Sequence, residues 1–132
     1  VIFIDASALV AILAEEPEAD SLLERLDRAS TRLTSALAVF EATLAIGRIG
    51  VIAPDAAAGL VFDLLTRAEI TLTTIDDRDA REAIQAFTRF GKGRHPAQLN
   101  MGDCFAYGCA RSRGASLLFK GDDFALTDIE AA

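Results

Sequence analysis

Four acidic residues stand where a carboxylate is costly. Asp5 ends the apolar run Val1-Ile2-Phe3-Ile4, and Glu41 lies inside the apolar stretch from Ala36 to Leu44. Asp103 opens Asp103-Cys104-Phe105-Ala106-Tyr107, and Asp122, with Asp123 beside it, follows Ser116-Leu117-Leu118-Phe119. An ionised carboxylate next to a core is unfavourable unless a cation compensates it. Acids far apart in sequence, each tied to an apolar element, point to one shared compensating object. Oxygen ligands of this kind suit Mg²⁺ or Mn²⁺, held through a few carboxylates with several waters kept. Such an ion makes water nucleophilic near neutral pH and stabilises charge on a phosphoryl group under attack. In-line attack on a phosphodiester would leave a 5′-phosphate and a 3′-hydroxyl, and either one or two metals fit the pattern.

Each acid also has an ordinary structural explanation. Asp5 and Asp103 stand where helices begin, and a carboxylate there caps the helix and meets its dipole favourably. Asp122 and Asp123 belong to the turn sequence Lys120-Gly121-Asp122-Asp123-Phe124, where Asp is common. Glu41 resists this treatment. Its helical neighbours Leu37, Ala38, Leu44 and Ala45 are all apolar, and no Lys or Arg lies within one turn. That pattern predicts an inward-facing Glu that needs a partner. The acids are more telling as a set than singly.

The elements that must position them follow from periodicity. Val1 to Ile4 predicts a buried strand, Ala6 to Leu13 a helix, and Pro17 to about Asp27 a second helix. Arg32 to Thr34 predicts a strand, after which Ser35 caps a helix to about Arg48. Pro54 opens a helix to about Arg67, and Ile70 to Ile75 alternates as a strand. Asp76 or Asp77 caps the next helix, whose apolar positions Ala80, Ala83, Ile84 and Phe87 follow helical spacing. Gly91 to Pro96 is a loop, Gly102 to Ser112 a helix, and Ser116 to Phe119 a strand. The tail from Phe124 to Ile129 is a short edge strand or an irregular end. This alternation gives one α/β domain over residues 1–132, with three α/β/α layers around a central parallel sheet of four to five strands. In such sheets active sites gather outside the carboxyl ends of the strands, which places Asp5 and Asp122 at one edge.

The net charge of −7 excludes a general nucleic-acid coat protein. The charge is unevenly spread, however. Residues 83–102 contain no acid but carry Arg89, Lys92 and Arg94, and residues 104–121 contain none but carry Arg111, Arg113 and Lys120. Asp103 alone lies between these windows, an arrangement suited to an anionic substrate that must meet a metal. The hydrophobic share, 52%, is high for so short a chain and implies either a rich core or an apolar surface covered by a partner. Cys104 and Cys109 lack zinc-ligand spacing and suit a reducing compartment. Val1 to Ala14 lacks the basic flank of a signal peptide and is broken by Asp5. No run predicts a membrane span, and the expected location is the cytoplasm.

The order Ile4-Asp5-Ala6-Ser7-Ala8-Leu9, Ser35 through Glu41, Asn100-Met101-Gly102-Asp103-Cys104-Phe105-Ala106-Tyr107 and Leu118-Phe119-Lys120-Gly121-Asp122-Asp123-Phe124 resembles the PIN-domain nucleases. More narrowly it resembles the VapC-type toxins of bacterial toxin–antitoxin pairs, over nearly the whole chain. The resemblance implies a metal-dependent endoribonuclease using Mg²⁺ or Mn²⁺. It makes Asp5 and Asp103 the principal metal ligands, Glu41 the third acid, and Asp122 the fourth, with adjacent Asp123 the other candidate. Ser7 matches a hydroxyl that supports the first Asp, while Ala6 departs from the Thr or Ser commoner there. Arg89, Lys92, Arg94 and Lys120 become candidate RNA contacts, with His95 structural or solvent-facing rather than catalytic. The implied partners are RNA, a VapB-type antitoxin that packs over or near the acids, and a second copy of the chain. Two alternatives differ in chemistry. A phosphoacceptor receiver domain would use Lys120 at a strand end, although Asp5 lacks the adjacent acid such domains need. A catalytically silent PIN-like binding module would keep the fold alone.

Overall fold

The first strand divides the interior in two. In the computed structural model, which describes residues 1–132, β1 (Ile2–Ile4) is wholly buried. Side chains alternate across a strand, so Ile2 and Ile4 enter one core and Phe3 the other. The first core is closed by α1 (Ala6–Leu13), α2 (Ala19–Arg28), α3 (Ala36–Gly50) and α4 (Pro54–Arg67). The second is closed by α5 (Asp77–Phe90) and α6 (Met101–Ser112). Between them lies the sheet, completed by β2 (Arg32–Ser35), β3 (Thr71–Thr73) and β4 (Ser116–Leu118).

All pairings are parallel, in the order β3-β2-β1-β4. The chain moves outward from β1 through β2 to β3, then crosses to the other side of β1 for β4. That reversal makes a crevice at the carboxyl ends of β1 and β4, the usual ligand position in an open parallel sheet.

The expected architecture is present, with local differences at element ends. The second helix begins at Ala19 rather than Pro17, because Glu15 takes a positive φ of 52° and turns the chain first. The third strand stops at Thr73, short of Ile75. Its last register partner is Ser35, where β2 ends and α3 begins, so later residues have nothing to pair with. The tail forms a 3₁₀ turn at Phe124–Leu126 and then returns to the sheet edge, where Ala131 bridges Leu117. No single helix is long and apolar enough to cross a membrane.

Candidate active site

Asp5 follows β1 directly and is the N-cap of α1. It is 4% exposed. The Ser7 N–H and the Ser7 hydroxyl both donate to one oxygen, Oδ2, at 3.0 and 2.6 Å. Ser7 Oγ in turn accepts the Lys120 N–H at 3.0 Å. One hydroxyl thus ties the start of α1 to the turn after β4 and fixes the carboxylate between them. Burial pushes the Asp5 carboxyl above its ordinary value, against the lowering effect of the Ser7 hydroxyl and the Ser7 and Ala6 N–H groups.

Asp103 is positioned by a capping box. Asn100, the N-cap of α6, accepts the Asp103 N–H at 2.9 Å, and Asp103 Oδ2 accepts the Asn100 N–H at 3.1 Å. Reciprocal bonds of this kind satisfy two orphan donors at a helix start. Both structural explanations of these acids therefore hold together with a shared location: the caps are what orient them. The Asp103 pKa is pushed up to about 6 by burial and by the charges of Asp5 and Asp123, with the Asn100 N–H opposing.

Glu41 comes from α3, whose first turn is capped by the Ser35 hydroxyl. Its carboxylate lies against Gly102 of α6, in space a Cβ would occupy. Burial, then the charges of Asp5 and Asp103, raise its pKa to about 7. Glu41 therefore faces α6, as its apolar neighbours imply, but is not enclosed. Glu41 is half-buried at the rim of a cleft, and of its apolar neighbours Leu44 is 38% exposed, beside Phe40 at 60%. Leu44 and Ala45 belong to the cleft wall, whereas Ala38 belongs to the first core.

Of the two acids after β4, Asp123 is the one whose charge reaches Asp103. Both Asp122 and Asp123 are exposed. Asp5, Glu41, Asp103 and Asp123 thus form one electrostatic set, and none of them has a Lys or Arg partner. No three of the chain's His, Cys, Asp or Glu side chains are arranged to enclose an ion directly. The donors are nevertheless all hard oxygens whose mutual repulsion a cation would relieve. Mg²⁺ characteristically takes only one or two carboxylates and fills its remaining positions with water. The residues fit that ion.

A cleft of about 480 Å³ opens beside the acids, walled by Ser7 and Val10 of α1, Glu41, Leu44 and Arg48 of α3, Glu16 and Lys120. Asp5 and Asp103 are not among its wall residues; Ser7 and Glu41 connect it to them. Lys120 pairs there with Glu16 and, at 3.8 Å, with Glu18.

The other predicted basic residues divide. Arg89 is bound to Asp128 at 3.1 Å and lies over the Phe90 ring. Arg111 reaches the same Asp128 at 3.8 Å, and Tyr107 Oη donates to it at 2.5 Å. This group pins the tail to α5 and α6. Arg113 is engaged by Asp79. Lys92 and Arg94 are exposed without a carboxylate partner, Arg94 standing 5.6 Å from the Phe87 ring centre. His95 accepts the Ala97 N–H through Nδ1 and packs edge-on against Phe90, a structural role. Cys104 and Cys109 are buried free thiols.

Sequence reasoning missed two features. Asp79 is fully buried and bound by Arg113, Ser112 and the Asp76 N–H. Only a weak signal marked it, the Asp76-x-x-Asp79 spacing of a capping box. Arg48 on the cleft wall was passed over because it lies two turns, not one, from Glu41.

With this geometry in view, the sequence matches the PIN domain over residues 2–130. The chain belongs to the PIN-domain family. Within it, the relatives are VapC proteins. A VapC ribonuclease of Rhizobium meliloti is 40% identical over 96% of this chain and 98% of its own length. Ribonuclease VapC of Mycolicibacterium smegmatis is 43% identical over 97% of each chain. Ribonuclease VapC30 of Mycobacterium tuberculosis is 43% identical over 96% of this chain and 94% of its own. Among solved structures, Mycobacterium tuberculosis VapC20, described as a sarcin–ricin-loop-cleaving toxin, superposes with a TM-score of 0.76 over 100% of this chain and 98% of that one. At 15% identity that match speaks to the PIN fold alone. Membership removes the receiver-domain alternative.

Proposed function

We propose that this PIN-domain protein is a metal-dependent endoribonuclease and the toxin of a toxin–antitoxin pair. The observation that carries the reading is the convergence of Asp5, Glu41, Asp103 and Asp123 beside an open cleft, with no side-chain cation to compensate them. The VapC ribonucleases related to this chain along its length support the same reading.

Asp5 and Asp103 are the principal ligands of Mg²⁺ or Mn²⁺, Glu41 the third acid, and Asp123, in preference to Asp122, the fourth. When bound, the cation supplies Lewis-acid activation of water and of the phosphoryl oxygens. The remaining work falls to the chain. Ser7 fixes the first carboxylate, and the Asn100 box fixes that of Asp103. In the metal-free site burial and the charges of Asp5 and Asp103 hold the Glu41 carboxyl at about 7, so it would give up its proton as a cation is bound. The cleft beside it admits the RNA strand.

The partners follow the same reading. Ile49, Val51, Ile52, Leu60 and Phe62 of the α3–α4 segment are exposed apolar side chains. A VapB-type antitoxin or a second copy of the chain would cover them, and the protein would act in the cytoplasm.

The test is cleavage of structured RNAs with Mg²⁺ or Mn²⁺ by the natural chain and by Asp5→Asn and Asp103→Asn. Cleavage by the natural chain, lost in both variants, is expected. Unchanged cleavage in the variants rejects the site. No cleavage by a folded, metal-loaded natural chain favours the catalytically silent module.

A further inference from the structure

The site leaves a problem of charge unsolved. The cleft beside the acids is itself lined by Glu16 and Glu41, and the chain carries a net charge of −7. An RNA strand must place several phosphates along that wall, and a cation at the acids serves only the one being cleaved. The phosphates on either side need their own positive partner.

Only two cationic side chains face the cleft, Arg48 and Lys120. Lys120 is already neutralised by Glu16 and Glu18. Most other Lys and Arg residues are likewise committed, including Arg89, Arg111 and Arg113, which the sequence had presented as a basic surround. Lys92 and Arg94 lack carboxylate partners but are not on the cleft wall. Arg48 is exposed, forms no ion pair or hydrogen bond, and shares the wall with Glu41 on the same helix.

Its position along α3 sets what it can hold. Arg48 lies seven positions after Glu41, which is two turns, or about 10 Å along the helix axis. Arg48 is therefore too far along to serve the phosphate at the acids and is placed for one further down the strand. Phe40 and Leu44, exposed on the same wall, offer an unstacked base an apolar face. A guanidinium suits a phosphate because its planar fork matches the anion with two parallel hydrogen bonds.

We propose, on the ribonuclease reading above, that Arg48 is a substrate-binding residue that holds a non-scissile phosphate of a single-stranded RNA segment lying along the α3 wall of the cleft. Arg48 has one competing role. It stands in the last turn of α3, where a positive charge complements the carbonyl end of the helix. That role depends on charge and would appear in stability. The proposed role appears in RNA affinity and its salt dependence.

The experiment measures binding of a fluorescently labelled single-stranded RNA oligonucleotide by anisotropy, across a salt series, without divalent metal. The full chain carries Asp103→Asn so that no cleavage intervenes, alone or combined with Arg48→Ala or Arg48→Lys. Arg48→Ala is expected to weaken binding about tenfold. It should also reduce the slope of log K against log salt by about 0.7, the value for one phosphate contact on a single strand. Arg48→Lys should restore the slope and part of the affinity, with the melting temperature the same in all three. Equal affinity and slope in the Arg48→Ala protein overturns the proposal. So does a loss that tracks a lowered melting temperature and is not rescued by Lys. Cleavage by the natural chain, assayed separately with Mn²⁺, reads the ribonuclease assignment independently of this comparison.

Discussion

The carboxylate of Glu41, on α3, rests on the bare Cα of Gly102, on α6, one residue before Asp103. A methyl group at position 102 would meet the Glu41 carboxylate directly. The obstacle is the far end of a flexible side chain, so the fold can absorb the change while the acid cannot keep its place. Gly102→Ala should therefore leave the melting temperature unchanged or raise it slightly, since Ala favours a helix over Gly by about 1 kcal/mol. RNA cleavage should fall by about 100-fold, the cost of a displacement of roughly 1 Å at a reacting centre. Full activity in a folded Gly102→Ala protein would remove Glu41 from the site.

Ser7 joins Asp5 to the turn after β4 by donating to one and accepting from the other. Partners of this kind orient a ligand, and their loss commonly costs about 10–100-fold in metal affinity. Ser7→Ala is expected to weaken Mn²⁺ binding by that factor in calorimetry, and Ser7→Thr to retain most of it. Identical Mn²⁺ affinities for Ser7→Ala and the natural chain would show that Asp5 needs no brace.

The acids also predict an unusual dependence on pH. Burial and mutual repulsion raise Glu41 to about 7 and Asp103 to about 6, and burial raises Asp5 as well. A carboxyl whose folded pKa exceeds its unfolded value binds more protons when folded, so stability falls as pH rises between the two values. For Glu41 that interval runs from the ordinary value of 4.5 to about 7, and for Asp103 from 3.8 to about 6. Asp79 and Asp128 have the opposite sign. Burial pushes Asp79 up, but bonds from Arg113, Ser112 and the Asp76 N–H bring it below 3.8, and the Tyr107 hydroxyl and Arg89 do the same for Asp128. Their contribution is present above that value and is lost on acidification. Metal-free protein should be most stable near about pH 5 and lose stability toward neutrality. Mn²⁺ should bind more tightly as pH rises from about 5.5 to 7.5 and restore the loss, because it competes with protons. Scanning calorimetry with and without Mn²⁺ checks this. Metal-free stability that climbs steadily to pH 7.5 would contradict the assignment of uncompensated acids.

What could be read from the sequence was governed by range. Asp5 and the β4 acids were visible because an acid after an apolar strand has a place in any parallel sheet. Ser35 was visible as a cap because capping is local. The helix starts that orient Asp5 and Asp103 were legible for the same reason, although the pattern alone could not say that cap and site coincide. Side-chain pairing was not legible. Lys120 finds Glu16 across 104 positions, and Arg113 finds Asp79 across 34, so the basic windows seen in the sequence were largely neutralised in space. Apolar neighbours implied burial for Glu41, and the structure leaves it half-buried at the cleft rim, since periodicity identifies a face but not what covers it.

Asp79 and Arg113 supply the last prediction. The carboxylate is fully buried, and the guanidinium grips it with Nη1 on Oδ1 at 2.5 Å and Nη2 on Oδ2 at 3.2 Å. Nη2 also donates to the Thr74 carbonyl at 2.6 Å, so one side chain ties the end of α6 to α5 and to the segment after β3. Removing Arg113 alone leaves a buried charge without its partner, a change that commonly costs about 3–5 kcal/mol. Arg113→Ala should lower stability by about that amount in urea denaturation. The double variant Asp79→Leu with Arg113→Met, which removes both charges, should recover much of it. Because the pair lies at the opposite end of α6 from Asp103, the double variant should retain metal binding. A loss below about 1 kcal/mol in Arg113→Ala, the range of an exposed ion pair, would mean that water reaches Asp79 and that the α5–α6 junction does not depend on this contact.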